Sequence, residues 1–156
     1  MYLFISIFAD KYIKMKSTEN IKLYGWKNSY NTGIIAIDEQ NKKFIDIINK
    51  LTSSINGDCT NEIFSDVFFS LIHYVEESFT KEKIYFKDYN TEKFTAIQNS
   101  HDELFERIIH FQKIYEQAGK TNSCVNIVDF LINWFENHMK IFDNQAIGFL
   151  KNKGLE

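Results

Sequence analysis

Proline is absent from this 156-residue chain, and glycine occurs only six times. Proline inside a helix removes a hydrogen bond and clashes with the preceding turn, and glycine weakens a helix through backbone entropy. A chain so poor in both is free to build long uninterrupted helices. Cysteine is scarce as well: Cys59 and Cys124 are the only two, without the spacing of a thiolate metal site. Two cysteines make no disulfide framework. A reduced, cytoplasmic setting is therefore the simpler expectation, and a Cys59–Cys124 bridge the disfavoured one. No basic stripe stands out and the net charge is −3, which argues against nucleic acid as a partner. No apolar run approaches the roughly 20 residues needed to span a bilayer. The stretch Met1–Phe8 is apolar apart from Ser6, but it has no basic leader, and Asp10 and Lys11 follow at once. It lacks the positive region and cleavage site of a signal peptide. It reads either as an extra docking segment or as sequence upstream of a start at Met15, with the second preferred. Residues 1–22 are taken as an N-terminal extension and residues 23–156 as one domain.

What is present points to a helical core. The chain is 44% hydrophobic and 16% aromatic, with fifteen Phe and eight Tyr, enough bulky material for a packed interior. Four segments carry the helical period. In the first, Asp38 is placed at the N-cap, and Phe44, Ile47, Ile48 and Leu51 form one stripe that stops near Asn56-Gly57. The second runs from about Asn61 to Asp88, with Phe64, Val67, Phe68, Leu71, Val75, Ser78, Phe79 and Glu82 on one face. The third runs from about Glu92 to Gln117 and carries Phe94, Ile97, His101, Leu104, Phe105, Ile108 and Phe111. The fourth follows the capping run Thr121-Asn122-Ser123 and continues to about Phe149, with Ile127, Phe130, Leu131, Trp134, His138 and Ile141 on its stripe. Long helices with short connections predict an all-α, antiparallel up-down-up-down four-helix bundle with an N-terminal arm.

Four residues break the apolar character of those inner faces: Glu82, His101, His138 and Asp143. Each alone has an ordinary reading, as a hydrogen-bonded core histidine or a solvated carboxylate. Together, on three helices, they have the composition of a bundle metal site, because imidazole and carboxylate suit iron, manganese or zinc. The same groups could instead pair with one another as an internal ionic cluster with coupled titrations. Both readings stay open on the residues alone. No nucleophile–base arrangement, glycine-rich phosphate loop or cofactor motif is present, so an enzyme is the least expected class.

Longer patterns are more specific. Trp26 is followed by Tyr30-Asn31-Thr32-Gly33-Ile34, then Ile37-Asp38-x-Gln40-Asn41-Lys42, then Phe44 and Ile48-Asn49-x-Leu51. Further on stand Tyr74-x3-Ser78-Phe79-x2-Glu82, Ile97-x3-His101-x2-Leu104-Phe105, and Trp134-x3-His138-x4-Asp143. In order and spacing these blocks resemble the bacterial hemerythrins from about Trp26 to Phe149. The resemblance implies a site in which five His, one Glu and one Asp hold two irons and one iron binds O2. Carried over residue by residue, Glu82 and Asp143 match the bridging carboxylates, and His101 and His138 match two of the three His on the first iron. Ile97 stands where the third should be, and Asn41 and Ser78 stand where both His of the O2-binding iron should be.

Those departures shape the expected function. Isoleucine ligates nothing, and Asn and Ser offer only neutral oxygens. Nearby alternatives are poor: His73 points about 140° away from Ser78 around the helix, Glu77 about 100°, and His110 lies on the opposite face from His101. The expectation is a hemerythrin-like metal-binding protein that keeps four of seven ligands, with one non-haem iron or another metal at most. O2 carriage is not expected. The alternative is a metal-free bundle serving as an interaction module, with Tyr85, Phe86 and Tyr89 as a candidate patch and a second copy or an intact paralogue as partner.

Overall fold

A computed structural model describes residues 21–57, 60–118, 121–142 and 144–156. Among these residues there is no strand. A 3-10 turn at Asn28–Tyr30 precedes five helices: α1 (Ile35–Asn56), α2 (Asn61–Tyr85), α3 (Thr91–Ala118), α4 (Thr121–Met139) and α5 (Asn144–Asn152). Helix α1 packs against α2 and α4, and α3 packs against the same two. Short connections turn each of these helices back on the one before, which gives the expected four-helix bundle. The residues before α1 form an arm along it.

The core is made by the predicted stripes. Phe44, Ile48 and Leu51 of α1 are fully buried, as are Val67 and Leu71 of α2, Ile97 and Leu104 of α3, and Leu131 of α4, joined by Phe135, which the expected stripe did not include. Phe105 departs from its stripe: it is 44% exposed, because it sits one residue past Leu104, which turns inward in its place. The patch at Tyr85, Phe86 and Tyr89 is packing. Phe86 is completely buried against Phe142, and Tyr89 lies on Phe149 of α5.

Local chemistry sets the helix ends. Thr60 caps α2 by accepting from Ile63 N at 3.3 Å. Asn90 Oδ1 accepts from Glu92 N and Lys93 N at the start of α3. Helix α2 stops at Tyr85, short of Asp88, and a turn closes with Tyr89 N donating to Phe86 O at 2.9 Å. Helix α1 starts at Ile35, before the expected N-cap. Asp38 caps the loop instead of the helix. Its Oδ1 accepts from Thr32 N and Thr32 Oγ1 at 2.9 and 2.8 Å, and its Oδ2 from Gly33 N at 3.3 Å. That loop needs a glycine: Gly33 has φ +72°, and the Lys151 ammonium lies 3.1 Å from where a Cβ would stand.

The fourth helix is also not one piece. It ends at Met139, where Lys140, Ile141 and Phe142 donate to the carbonyls three residues back, tightening the last turn. That turn brings Phe142 onto Phe86, and α5 begins anew at Asn144. The arm is held by two asparagines on α1. Asn49 makes two hydrogen bonds with the Tyr24 backbone, and Asn56 two with that of Ile21, all between 2.7 and 2.9 Å. Residues 1–20, Cys59 and the Cys124 side chain lie outside what the structure describes, so neither the extension nor the disfavoured bridge is addressed by it.

Leu71 is fully enclosed in the bundle core, so Leu71→Ala is expected to destabilise the protein by about 2–5 kcal/mol in a denaturant titration. A loss under about 1 kcal/mol would show that the site collapses around the smaller residue, contrary to a tightly packed core.

Candidate metal centre

Three helices each present one polar group inward, one turn beyond an apolar or small residue. Glu82 follows Ser78 on α2, His101 follows Ile97 on α3, and His138 follows Trp134 on α4. All three are buried. His101 Nε2 lies 2.9 Å from Glu82 Oε2, and His138 Nε2 lies 3.4 Å from the same oxygen. One donor atom from each residue falls within 4.8 Å of the others, a cluster compact enough for a metal ion. The other oxygen, Oε1, accepts from Gln40 Nε2 of α1 at 2.6 Å.

The imidazoles are held by flat neighbours. Phe79 stacks on His101 with ring centroids 3.5 Å apart and planes within 2°. Trp134 stacks on His138 at 4.6 Å and 13°. The Trp134 indole N–H donates to Ser100 O at 2.8 Å, and Ser100 Oγ is 3.3 Å from His138 Nδ1. With its proton on Nδ1, His138 donates to that hydroxyl and leaves Nε2 with a free lone pair toward Glu82. A partner on the outer nitrogen is how metal-bound histidines are usually oriented. His138 Nε2 makes no hydrogen bond of good geometry, and His101 Nδ1 is likewise without a partner.

Burial alone would push the Glu82 carboxyl up. The adjoining imidazoles, His138 foremost, overcome this and hold it down at about 2. Burial lowers His101 below its ordinary value, against the pull of the carboxylate. The combination is an ionised carboxylate beside a histidine that resists protonation, the state in which both serve as metal ligands. Burial, and then the Glu82 charge, push the Tyr74 phenol up, so it stays protonated.

Asn41 and Ser78 are buried, and Ile97 is fully so. Asn41 Nδ2 donates to Met139 Sδ at 3.2 Å, while its Oδ1 has no hydrogen-bond partner. Asp143 lies outside the described residues. His73, Glu77 and His110 are exposed and away from the cluster, as their helical phase predicts. Gln40 is the site residue that sequence reading did not single out as a site residue. Its sequence signal was its place in the Ile37-Asp38-x-Gln40-Asn41-Lys42 block, beside Asn41. It also lies in a groove of about 500 Å³ between α1 and α2, together with Tyr74 and Ser78.

Similarity to known proteins agrees with this geometry. The family profile described as the hemerythrin HHE cation binding domain matches residues 32–150. A bacteriohemerythrin of Clostridium acetobutylicum is 23% identical over 129 residues, covering 80% of this chain and 99% of that protein. A bacteriohemerythrin of Pseudomonas aeruginosa is 28% identical over 115 residues, covering 74% of this chain and 73% of its own length. One from Pseudomonas paraeruginosa matches to the same extent.

Both shifts make the metal-free protein sensitive to acid. The depressed Glu82 contributes stability that is complete above about pH 4.5 and is lost as the pH falls toward about 2. The lowered His101 adds an earlier loss, because the unfolded chain takes up a proton near pH 6.5 that the folded chain refuses. The melting temperature of metal-free protein is therefore expected to fall steadily from pH 7 to pH 4 and below. Glu82→Gln should lower it at pH 7 and flatten the part below about pH 4.5. A wild-type melting temperature that rises on acidification contradicts this electrostatic picture.

Proposed function

The chain belongs to the hemerythrin family, and from that premise we propose that it binds a single divalent cation through Glu82, His101 and His138 rather than carrying O2 on two irons. The observation that carries this reading is the asymmetry of the site. Among the described residues three buried donors converge, while the buried residues at the positions matched to the other ligands, Asn41, Ser78 and Ile97, are neutral or apolar.

The residues fit one cation. His138 Nε2 is buried, lacks a hydrogen bond and faces the carboxylate, and Ser100 Oγ accepts a hydrogen bond from the outer nitrogen when that nitrogen carries the proton. Two imidazoles and one carboxylate suit non-haem iron, manganese or zinc. They do not fit two. Ile97, Asn41 and Ser78 stand at the positions matched to the three remaining ligands of the family's seven, and Asn41 turns its amide nitrogen to a thioether. Iron bound here would supply a Lewis-acidic, redox-active centre. The chain's own residues orient the imidazoles, keep the carboxylate ionised and exclude bulk water. Asp143, matched by sequence to a bridging carboxylate, is the fourth candidate ligand. The role that follows is metal retention in a reducing cytoplasm, without catalysis. A metal-free bundle is the second reading, favoured by the fact that Glu82 already has a partner on each oxygen.

Titration of metal-free protein with Fe(II) or Zn(II) tests this. One ion per chain is expected, with binding lost in His101→Ala and in His138→Ala. Folded wild type that binds no ion would establish the metal-free bundle instead. Restoring the lost ligands in Asn41→His, Ser78→His and Ile97→His combined should raise uptake to two irons per chain and give an O2-responsive absorption. If that variant folds and still binds at most one, the matching of these three positions is wrong.

A further inference from the structure

We propose that Gln40 is the positioning residue of Glu82: its side-chain amide holds Oε1, makes the carboxylate a one-oxygen ligand, and turns Oε2 toward the two histidines for a single ion. This rests on the single-cation reading and adds the residue that orients the carboxylate within it.

A carboxylate that bridges two metals gives one oxygen to each. In this chain the two oxygens of Glu82 are already divided. Oε2 faces His101 Nε2 at 2.9 Å and His138 Nε2 at 3.4 Å. Oε1 accepts from Gln40 Nε2 at 2.6 Å. Both Gln40 and Glu82 are buried, so this charge-assisted bond has little competition from water. An amide nitrogen is not a metal ligand, so Gln40 acts through the carboxylate as a positioning residue. By occupying Oε1 it opposes both rotation of the carboxylate and chelation of one ion by both oxygens.

The assignment to Gln40 rather than its neighbour is geometric. Asn41, next in sequence on α1, turns its amide to Met139 Sδ and does not reach Glu82. Ser78, one turn before Glu82 on α2, is a neutral hydroxyl. The bacterial hemerythrin pattern also carries a Gln at this place beside a full ligand set. Gln40 therefore does not exclude a second metal by itself. With Asn41 and Ser78 in place of histidines, no second ion competes for Oε1, and the amide holds it. The groove between α1 and α2 includes Gln40 and carries charges of both signs, Glu39, Glu77, Lys43 and Lys81, so no uniform field there draws a further cation to that oxygen.

Two measurements decide the matter. In the first, Co(II) is titrated into metal-free wild type and Gln40→Leu. Wild type is expected to take one Co(II) per chain. Gln40→Leu should bind about 10–100-fold more weakly. Its ligand-field absorption per cobalt should also be weaker, because the freed carboxylate closes on the ion with both oxygens and raises the coordination number. The same affinity and spectrum as wild type would overturn the assignment. In the second, which needs no variant to fold, the Gln40 side-chain NH2 of 15N-labelled wild type is followed by NMR during Zn(II) loading. Its protons should stay shifted downfield and slow to exchange in the loaded protein. Loss of that protection on loading would overturn the assignment. Wild type that binds no cobalt, or two per chain, would overturn the single-cation reading and Gln40's role with it; failure of the Gln40 assignment alone leaves wild type at one.

Discussion

Glu82 joins all four helices of the bundle. It stands on α2, accepts from Gln40 of α1 and faces His101 of α3 and His138 of α4. An ionised carboxylate at 0% exposure carries a desolvation cost of several kcal/mol, and only near-complete satisfaction of its lone pairs makes it tolerable. The surrounding arrangement answers that requirement. Phe79 and Trp134 fix the imidazole planes, Ser100 ties the outer edge of His138, and apolar residues such as Ile97 and Leu104 keep water away. The same enclosure that makes the charge expensive makes it a strong ligand once a cation is present.

The site is lopsided, and its lopsidedness is consistent chemically. On one side are a carboxylate oxygen and two imidazoles with nitrogen atoms available to a metal. On the other, an amide caps the second carboxylate oxygen and another amide bonds to a thioether. None of these neutral groups compensates a buried positive charge. This is a hemerythrin-family bundle in which Asn41 and Ser78, the positions matched by sequence to the O2-binding iron, are buried polar residues.

Much of this was legible in the sequence because helices bury residues with a fixed period. The stripes of Phe44, Leu71, Leu104 and Leu131 predict the core, and the placement of Glu82, His101 and His138 on those same stripes predicts that they meet. Helix ends were less legible. Asp38 carries a good capping side chain, yet a cap also depends on where the chain enters, and the Gly33 turn lets the helix begin before it. The break after Met139 has no proline or glycine to announce it; it arises from a tightened last turn and the packing of Phe142 on Phe86. The contact of Gln40 with Glu82 was illegible for a different reason. Its partner is 42 residues away, and a glutamine near a helix start carries no period that marks it as facing a carboxylate.

The most direct test of the account is metal analysis of the wild-type protein purified after anaerobic, iron-supplemented expression, normalised to chain concentration. One metal ion per chain is predicted. Two irons per chain would contradict the single-cation site outright, and a folded protein with no metal would show that Glu82, His101 and His138 are an ionic cluster and nothing more.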